Sequence, residues 1–252
     1  MRFKTRFNAV VAVTAIASLI TTARTAGAQL SDLHPSFYGS AELDTRSSQF
    51  YLLGLYVGVG GLGWSPYFNA SGYALHYQVL PNVSGSDRTL SAFLPTLGLA
   101  YASRSNGVSF GGGYAWVHNE DPGAPGAEGG GSSGATASLG AYHNGRGPRA
   151  FHTQLLSNYN FDSQYLWARG RGSVPFGNSR THPARIGAEV VGQGGGKNGN
   201  TSNSWQVGPT FEYGWTPGLR TTAAAGWKSV GGTRFTNREN AAYLKLEFSF
   251  SP

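Results

Sequence analysis

The chain has 252 residues with 38 Gly, 13 Tyr, 14 Phe and 6 Trp, no Cys, and only 12% charged side chains, about half the share of an ordinary soluble domain. The absence of cysteine removes disulfides, thiolate zinc sites and cysteine nucleophiles together. A net charge of +7 suggests nucleic acid until Arg2, Lys4, Arg6 and Arg24 are assigned to a leader, which leaves about +3 and argues against a nucleic-acid partner.

Met1–Asn8 carries Arg2, Lys4 and Arg6, Ala9–Ile20 is apolar, and Ala26-Gly27-Ala28 offers a small-x-small cleavage site. This is the pattern of a secretory signal peptide over residues 1–28, cleaved near Ala28. Beyond it no apolar run approaches the roughly 18 residues of a spanning helix, so residues 29–252 form one domain that crosses no membrane by helices.

Period-two alternation bounded by turn residues then predicts strands over Phe37–Asp44, Gln49–Val59, Trp64–Val79, Arg88–Ser103, Gly107–Asn119 and Gly134–His143. Six more follow at Arg149–Asn160, Gln164–Val174, Ala184–Gln193, Ser204–Trp215, Leu219–Ser229 and Asn240–Phe250. Even number, length near ten residues and a signal peptide predict a transmembrane antiparallel up-and-down β-barrel of about twelve strands (10–14) in the outer membrane of a Gram-negative bacterium.

The connections sort by length. Gly60–Gly63, Arg104–Asn106, Asn144–Pro148, Gly177–Pro183 and Thr216–Gly218 are expected as periplasmic turns, four of them tight. Glu120–Ser133, Gly194–Asn203 and Val230–Glu239 are polar, Gly-rich and expected as long outer loops. The final strand, with Ala242, Leu244, Leu246, Phe248 and Phe250 on one face, is expected to seal against the first after insertion by the barrel assembly machinery, although Ser251-Pro252 follows the usual aromatic end.

Charge on the lipid face is costly, so charged strand positions mark the lumen. In the second half this places Tyr165, Trp167, Arg169 and Arg171 on one inner face, followed by Arg185, Glu189 and Gln193, then Gln206 and Glu212, Arg220 and Lys228, and Lys245 and Glu247. Tyr165, Trp167, Arg169, Arg171, Arg185, Glu189 and Glu212 form the candidate ligand-binding wall. Such mixed charge either pairs across strands and fills a narrow bore, or lines a path for a hydrophilic solute. Trp64, Tyr67, Trp116, Trp205, Tyr213, Trp215 and Trp227 fall near strand ends and read as girdles at headgroup level, whereas Tyr165 and Trp167 could stack on sugar rings.

No catalytic constellation emerges. Tyr142-His143-Asn144-Gly145 has the Asn-Gly of an outer-membrane phospholipase pattern without its serine, and His152-Thr153-Gln154 lacks the nucleophile of small lipid A deacylases. Histidine pairs at zinc spacing, phosphate loops and calcium loops are missing, so neither metal nor cofactor is expected. The glycines of Phe110–Gly113 suit strand curvature, and Gly194-Gly195-Gly196 a loop tip.

The run from Asn158-Tyr159-Asn160-Phe161 through Tyr165-Leu166-Trp167-Ala168-Arg169-Gly170-Arg171-Gly172, then Ile186-Gly187-Ala188-Glu189 and Trp205-Gln206-Val207-Gly208, resembles the cellulose biosynthesis protein S family. The resemblance implies an outer-membrane barrel without catalysis, associated with cellulose production, that handles a glucan, with Trp167, Arg169 and Glu189 as the positions to watch. Two other readings stand beside it: a small porin or structural barrel, and a lipid-modifying enzyme.

Overall fold

A computed structural model describes residues 33–59, 61–78, 87–119, 132–145, 150–177, 179, 181–197, 200–233 and 237–252. The leader, its cleavage site and most of the Glu120–Ser133 segment lie outside these residues.

Twelve strands alternate in direction: β1 (Leu33–Asp44), β2 (Gln49–Val59), β3 (Gly63–Gln78), β4 (Asp87–Ala102), β5 (Asn106–Asn119), β6 (Gly134–Asn144), β7 (His152–Asn160), β8 (Tyr165–Phe176), β9 (Ala184–Lys197), β10 (Asn200–Gly214), β11 (Leu219–Gly232) and β12 (Glu239–Phe250). Each pairs with its chain neighbours, and β12 closes on β1 from Phe37 opposite Phe250 to Asp44 opposite Tyr243. Closure removes both sheet edges, which matters in hydrocarbon, where an unpaired N–H or C=O costs several kcal/mol.

One rim carries both barrel ends and the connections 60–62, 103–105, 145–151, 177–183 and 215–218; the other carries 45–48, 79–86, 120–133, 161–164, 198–199 and 233–238. We call these the turn rim and the loop rim. Two loop-rim connections are tight for local chemical reasons. Asp44 Oδ1 accepts the Arg46 and Ser48 amides at 2.9 and 3.0 Å, and Asn160 Oδ1 those of Asp162 and Ser163 at 3.0 and 3.1 Å. Ser47 and Gln164 take up the left-handed φ values of 66° and 52° that these turns require.

The expected loop over Gly194–Asn203 is instead strand. β9 and β10 continue in register to Lys197 opposite Asn200, leaving 198–199 as the connection. The glycines belong to the wall, where a Cβ on Gly194 would come within 2.9 Å of the Asn203 Cβ and one on Gly195 would strike the Gln164 carbonyl. They permit close strand approach rather than forming a mobile tip.

The outer surface is apolar. Leu97, Leu139, Leu155, Leu166, Leu244 and Leu246 are among the large side chains exposed there, an arrangement stable only against lipid. Near the turn rim Trp64 meets Tyr101 and Phe110 at 5.4 and 5.5 Å, and Tyr213 meets Trp215 at 4.8 Å; toward the loop rim Trp116 meets Phe93 at 6.0 Å and Trp205 meets Trp227 at 4.3 Å. These are the expected girdles, with one correction. Tyr67 points inward, 7% exposed, and stacks on Tyr56 at 5.2 Å.

Leu139 stands at the centre of β6, 48% exposed on the lipid face. Leu139→Arg is expected to lower the unfolding free energy in liposomes by about 2–4 kcal/mol, as measured by urea titration of Trp fluorescence, because the guanidinium meets hydrocarbon near the midplane.

Candidate functional site

The lumen has two unlike walls. Over β2 to β5 the inner face carries an apolar and aromatic cluster, with Leu75, Tyr77 and Leu90 buried and packed against Phe50, Tyr73 and Val117. Nearer the turn rim, the Tyr38 hydroxyl donates to Asn69 Oδ1 at 2.9 Å, with the Tyr56–Tyr67 stack beside it. Glycines opposite these rings are there for space, since a Cβ on Gly54 would collide with the Tyr38 ring and one on Gly98 with the Tyr67 ring.

The other wall, from β7 through β12 to β1, carries the charge in three tiers. At the middle of the barrel Arg169 on β8 reaches across the bore to Glu247 on β12, Nη1 to Oε1 at 2.6 Å, and its Nη2 donates to Gln154 Oε1 on β7 at 2.8 Å. Arg171 Nη2 bridges Glu189 Oε2 on β9 and Glu247 Oε2, both at 2.7 Å. Lys245 pairs with Glu189 and lies 3.3 Å from Glu247 Oε1, and Tyr243 donates its hydroxyl to Glu189 Oε1 at 3.4 Å. Three cations and two carboxylates thus share one connected network, with Glu189 at 0% exposure in its centre.

Toward the loop rim Lys228 on β11 pairs with Glu42 and Asp44 on β1 at 3.2 and 3.4 Å, and the Gln206 side-chain amide donates to Glu42 Oε2 at 3.2 Å. Toward the turn rim Glu212 Oε1 accepts from Arg185 and Arg220 at 3.1 and 3.2 Å. Each tier joins at least three strands. Shared partners lower the entropic cost per ion pair, one condition under which buried charge is tolerated, although Arg169 Nε and Arg171 Nε are buried without a hydrogen-bond partner among the described residues.

The seven expected wall residues therefore all face the lumen, but they do not form one site. Arg169, Arg171 and Glu189 meet in the middle tier, and Arg185 with Glu212 in the tier at the turn rim. Tyr165 and Trp167 lie above the middle tier on the loop side, Tyr165 opposite Asn160 and Trp167 opposite Asn158 and Gln193. Gln193 donates to Ser204 Oγ at 2.8 Å. Glu42, Asp44, Gln154 and Tyr243 were not expected as members.

Two histidines considered for catalysis are held by asparagines. His143 Nδ1 is 2.7 Å from Asn106 Oδ1 at the end of β6, and His152 Nδ1 is 3.3 Å from Asn144 Oδ1. Among the described residues no three of His, Cys, Asp and Glu gather as metal ligands.

The chain matches no protein-family model and no curated protein. Among solved structures it is similar to the β domain of the Bordetella autotransporter BrkA, at 12% identity and a TM-score of 0.48, over 88% of this chain and 100% of that one. LpxR from Salmonella typhimurium gives 12% identity and a TM-score of 0.49 over 85% and 99% of the two chains, and the KdgM porin 10% and 0.43 over 85% and 98%. The architecture itself, a closed antiparallel wall with an apolar outside, aromatic girdles and a polar tier system inside, is that of an outer-membrane β-barrel.

Proposed function

We propose that this chain is a non-enzymatic outer-membrane β-barrel whose bore is held shut by its own ion pairs. The observation that carries this reading is the middle tier, where Arg169 and Arg171 on β8 reach Glu247 on β12 across the lumen. The turn rim faces the periplasm, since such barrels keep that side short and let the outer loops grow. In planar bilayers the refolded protein is expected to leave the membrane at baseline conductance; steady open-channel steps across the voltage range would overturn the closed reading.

A second reading, the handling of a glucan in polysaccharide export, is supported by the resemblance to the cellulose biosynthesis protein S family and by one feature of the lumen. Trp167 is half-buried on the inner face, with Asn158 and Gln193 as its cross-strand neighbours, two positions from Arg169 on β8. An aromatic face bordered by hydrogen-bonding groups suits the apolar face and hydroxyl edge of a pyranose. Soluble cello-oligosaccharides are expected to bind the refolded barrel, and Trp167→Ala to weaken binding by about 0.5–1.5 kcal/mol, read by calorimetry. Equal affinities would remove the tryptophan from the reading, and the absence of binding to either protein would remove the glucan.

A further inference from the structure

A separate feature lies on the lipid side of the wall. Pro209 sits within β10 and has no N–H for the ladder. The β10–β11 register runs from Val207 opposite Trp227 directly to Thr210 opposite Ala224, and the two intervening positions, Gly208 and Pro209, are unpaired on that side. On its other side β10 stays in register with β9 through Pro209 opposite Ala188. The interruption of β10 is therefore confined to its seam with β11.

Over that seam the outer surface is hollowed. A groove of about 650 Å³ is floored by Pro209, Ala223 and Ala225 and rimmed by Ile186, Phe211 and Leu244. The short side chains leave space that longer neighbours enclose. The groove lies in the half of the wall nearer the turn rim, and beyond its rim at Phe211 the outward face of β10 carries Tyr213, with Trp215 just past the strand end. There His182 stacks on Tyr213 at 6.0 Å, and Trp215 Nε1 donates to Thr221 Oγ1 at 2.9 Å. Between the apolar groove and the turn rim the wall thus carries rings of mixed polarity.

The geometry points to a binding site for one phospholipid of the periplasmic leaflet, with an acyl chain in the groove over Pro209 and the headgroup end at His182, Tyr213 and Trp215. A hollow of this size within the hydrocarbon belt is filled by whatever fits its shape. An acyl chain matches the apolar lining of the groove, and the amphipathic rings beyond Phe211 lie where a headgroup would sit. The proposal requires only that the barrel spans a membrane with its turn rim toward the periplasm, and it holds whether or not the lumen is closed.

The test is native mass spectrometry of the full barrel in detergent, titrated with phosphatidylethanolamine, for wild type, Ala223→Leu/Ala225→Leu and Ala137→Leu. Ala137 faces outward on β6, far from the groove, and controls for added bulk on the lipid face. Wild type and Ala137→Leu are expected to retain one phospholipid; the groove variant is expected to retain about tenfold less, a change worth roughly 1.4 kcal/mol. Heat-dependent gel mobility checks that all three are folded. A phospholipid carrying a diazirine in its acyl chain should cross-link preferentially to β10 and β11. Equal retention by all three proteins, no retention by wild type, or cross-links spread evenly around the wall would overturn the site. A wild-type dimer mass abolished by the leucine pair would also overturn it, by assigning the groove to a second copy of the chain.

Discussion

Glu189→Ala is expected to cost the barrel about 3–5 kcal/mol of unfolding free energy, read by urea titration of the refolded protein in liposomes. The carboxylate is fully buried and holds Arg171 and Lys245 together. Its removal leaves Arg169, Arg171 and Lys245 around Glu247 alone, and the cost comes from three cations sharing one carboxylate in a confined interior. The effect should be conditional on those cations. In Glu189→Ala/Lys245→Met the charge balance of the tier returns to that of wild type, and the double variant is expected to be more stable than Glu189→Ala alone. Additive losses in the double-variant cycle would show that the two side chains do not act as a unit.

Arg169→Ala/Arg171→Ala is expected to convert a silent barrel into a conducting one. Both guanidinium groups project from β8 toward β12, and their Glu247 contacts are the part of the middle tier that crosses the bore. Truncating them to methyl groups removes the crossing while the closed backbone wall remains. The tier then holds Glu189 and Glu247 against Lys245, a net negative charge, so the channel is expected to prefer cations. Reversal potentials in a potassium chloride gradient give the sign. Baseline conductance in the folded double variant would place the closure elsewhere, with the apolar packing of Leu75, Tyr77 and Leu90 as the first alternative.

These two results bear on how much of the molecule its sequence discloses. Strand positions were legible because alternation is written residue by residue. Gln49–Val59 is an observed strand to the residue, and the others differ mainly where turns and strand ends share glycine and polar residues. Gly194–Gly196 misled for that reason, as a triple glycine reads alike in a loop tip and in two strands pressed together.

The inner face could be assigned in the second half because Arg169, Arg171, Arg185, Glu189, Lys245 and Glu247 mark it. Strands β2, β3 and β5 carry no Asp, Glu, Lys or Arg, so nothing in their sequence separates the lumen from the lipid side. Tyr67 was placed in a girdle on that account. What decides it is register: Glu42 opposite Lys245 fixes the face of β1, and pairing then carries the assignment around the wall. The pairing of β8 residues with β12 residues was equally hidden, because contact across a bore depends on how tightly the whole sheet curls.

That last contact has a consequence for assembly. Strand β12 lies four positions from β8 along the sheet. In a flat sheet with strands about 4.8 Å apart, roughly 19 Å would separate them, beyond the combined reach of an arginine and a glutamate. The pairs Arg169–Glu247 and Arg171–Glu247 can therefore form only once the sheet has rolled up, and they report its curvature as the seam hydrogen bonds report its closure. A partly inserted, unrolled sheet can pair Arg171 with Glu189 on the adjacent strand but leaves Glu247 without its two arginines. Insertion, rolling and neutralisation of the interior are thus coupled, so that the last strand does more than cover an edge: its arrival completes the electrostatics of a wall made some eighty residues earlier in the chain.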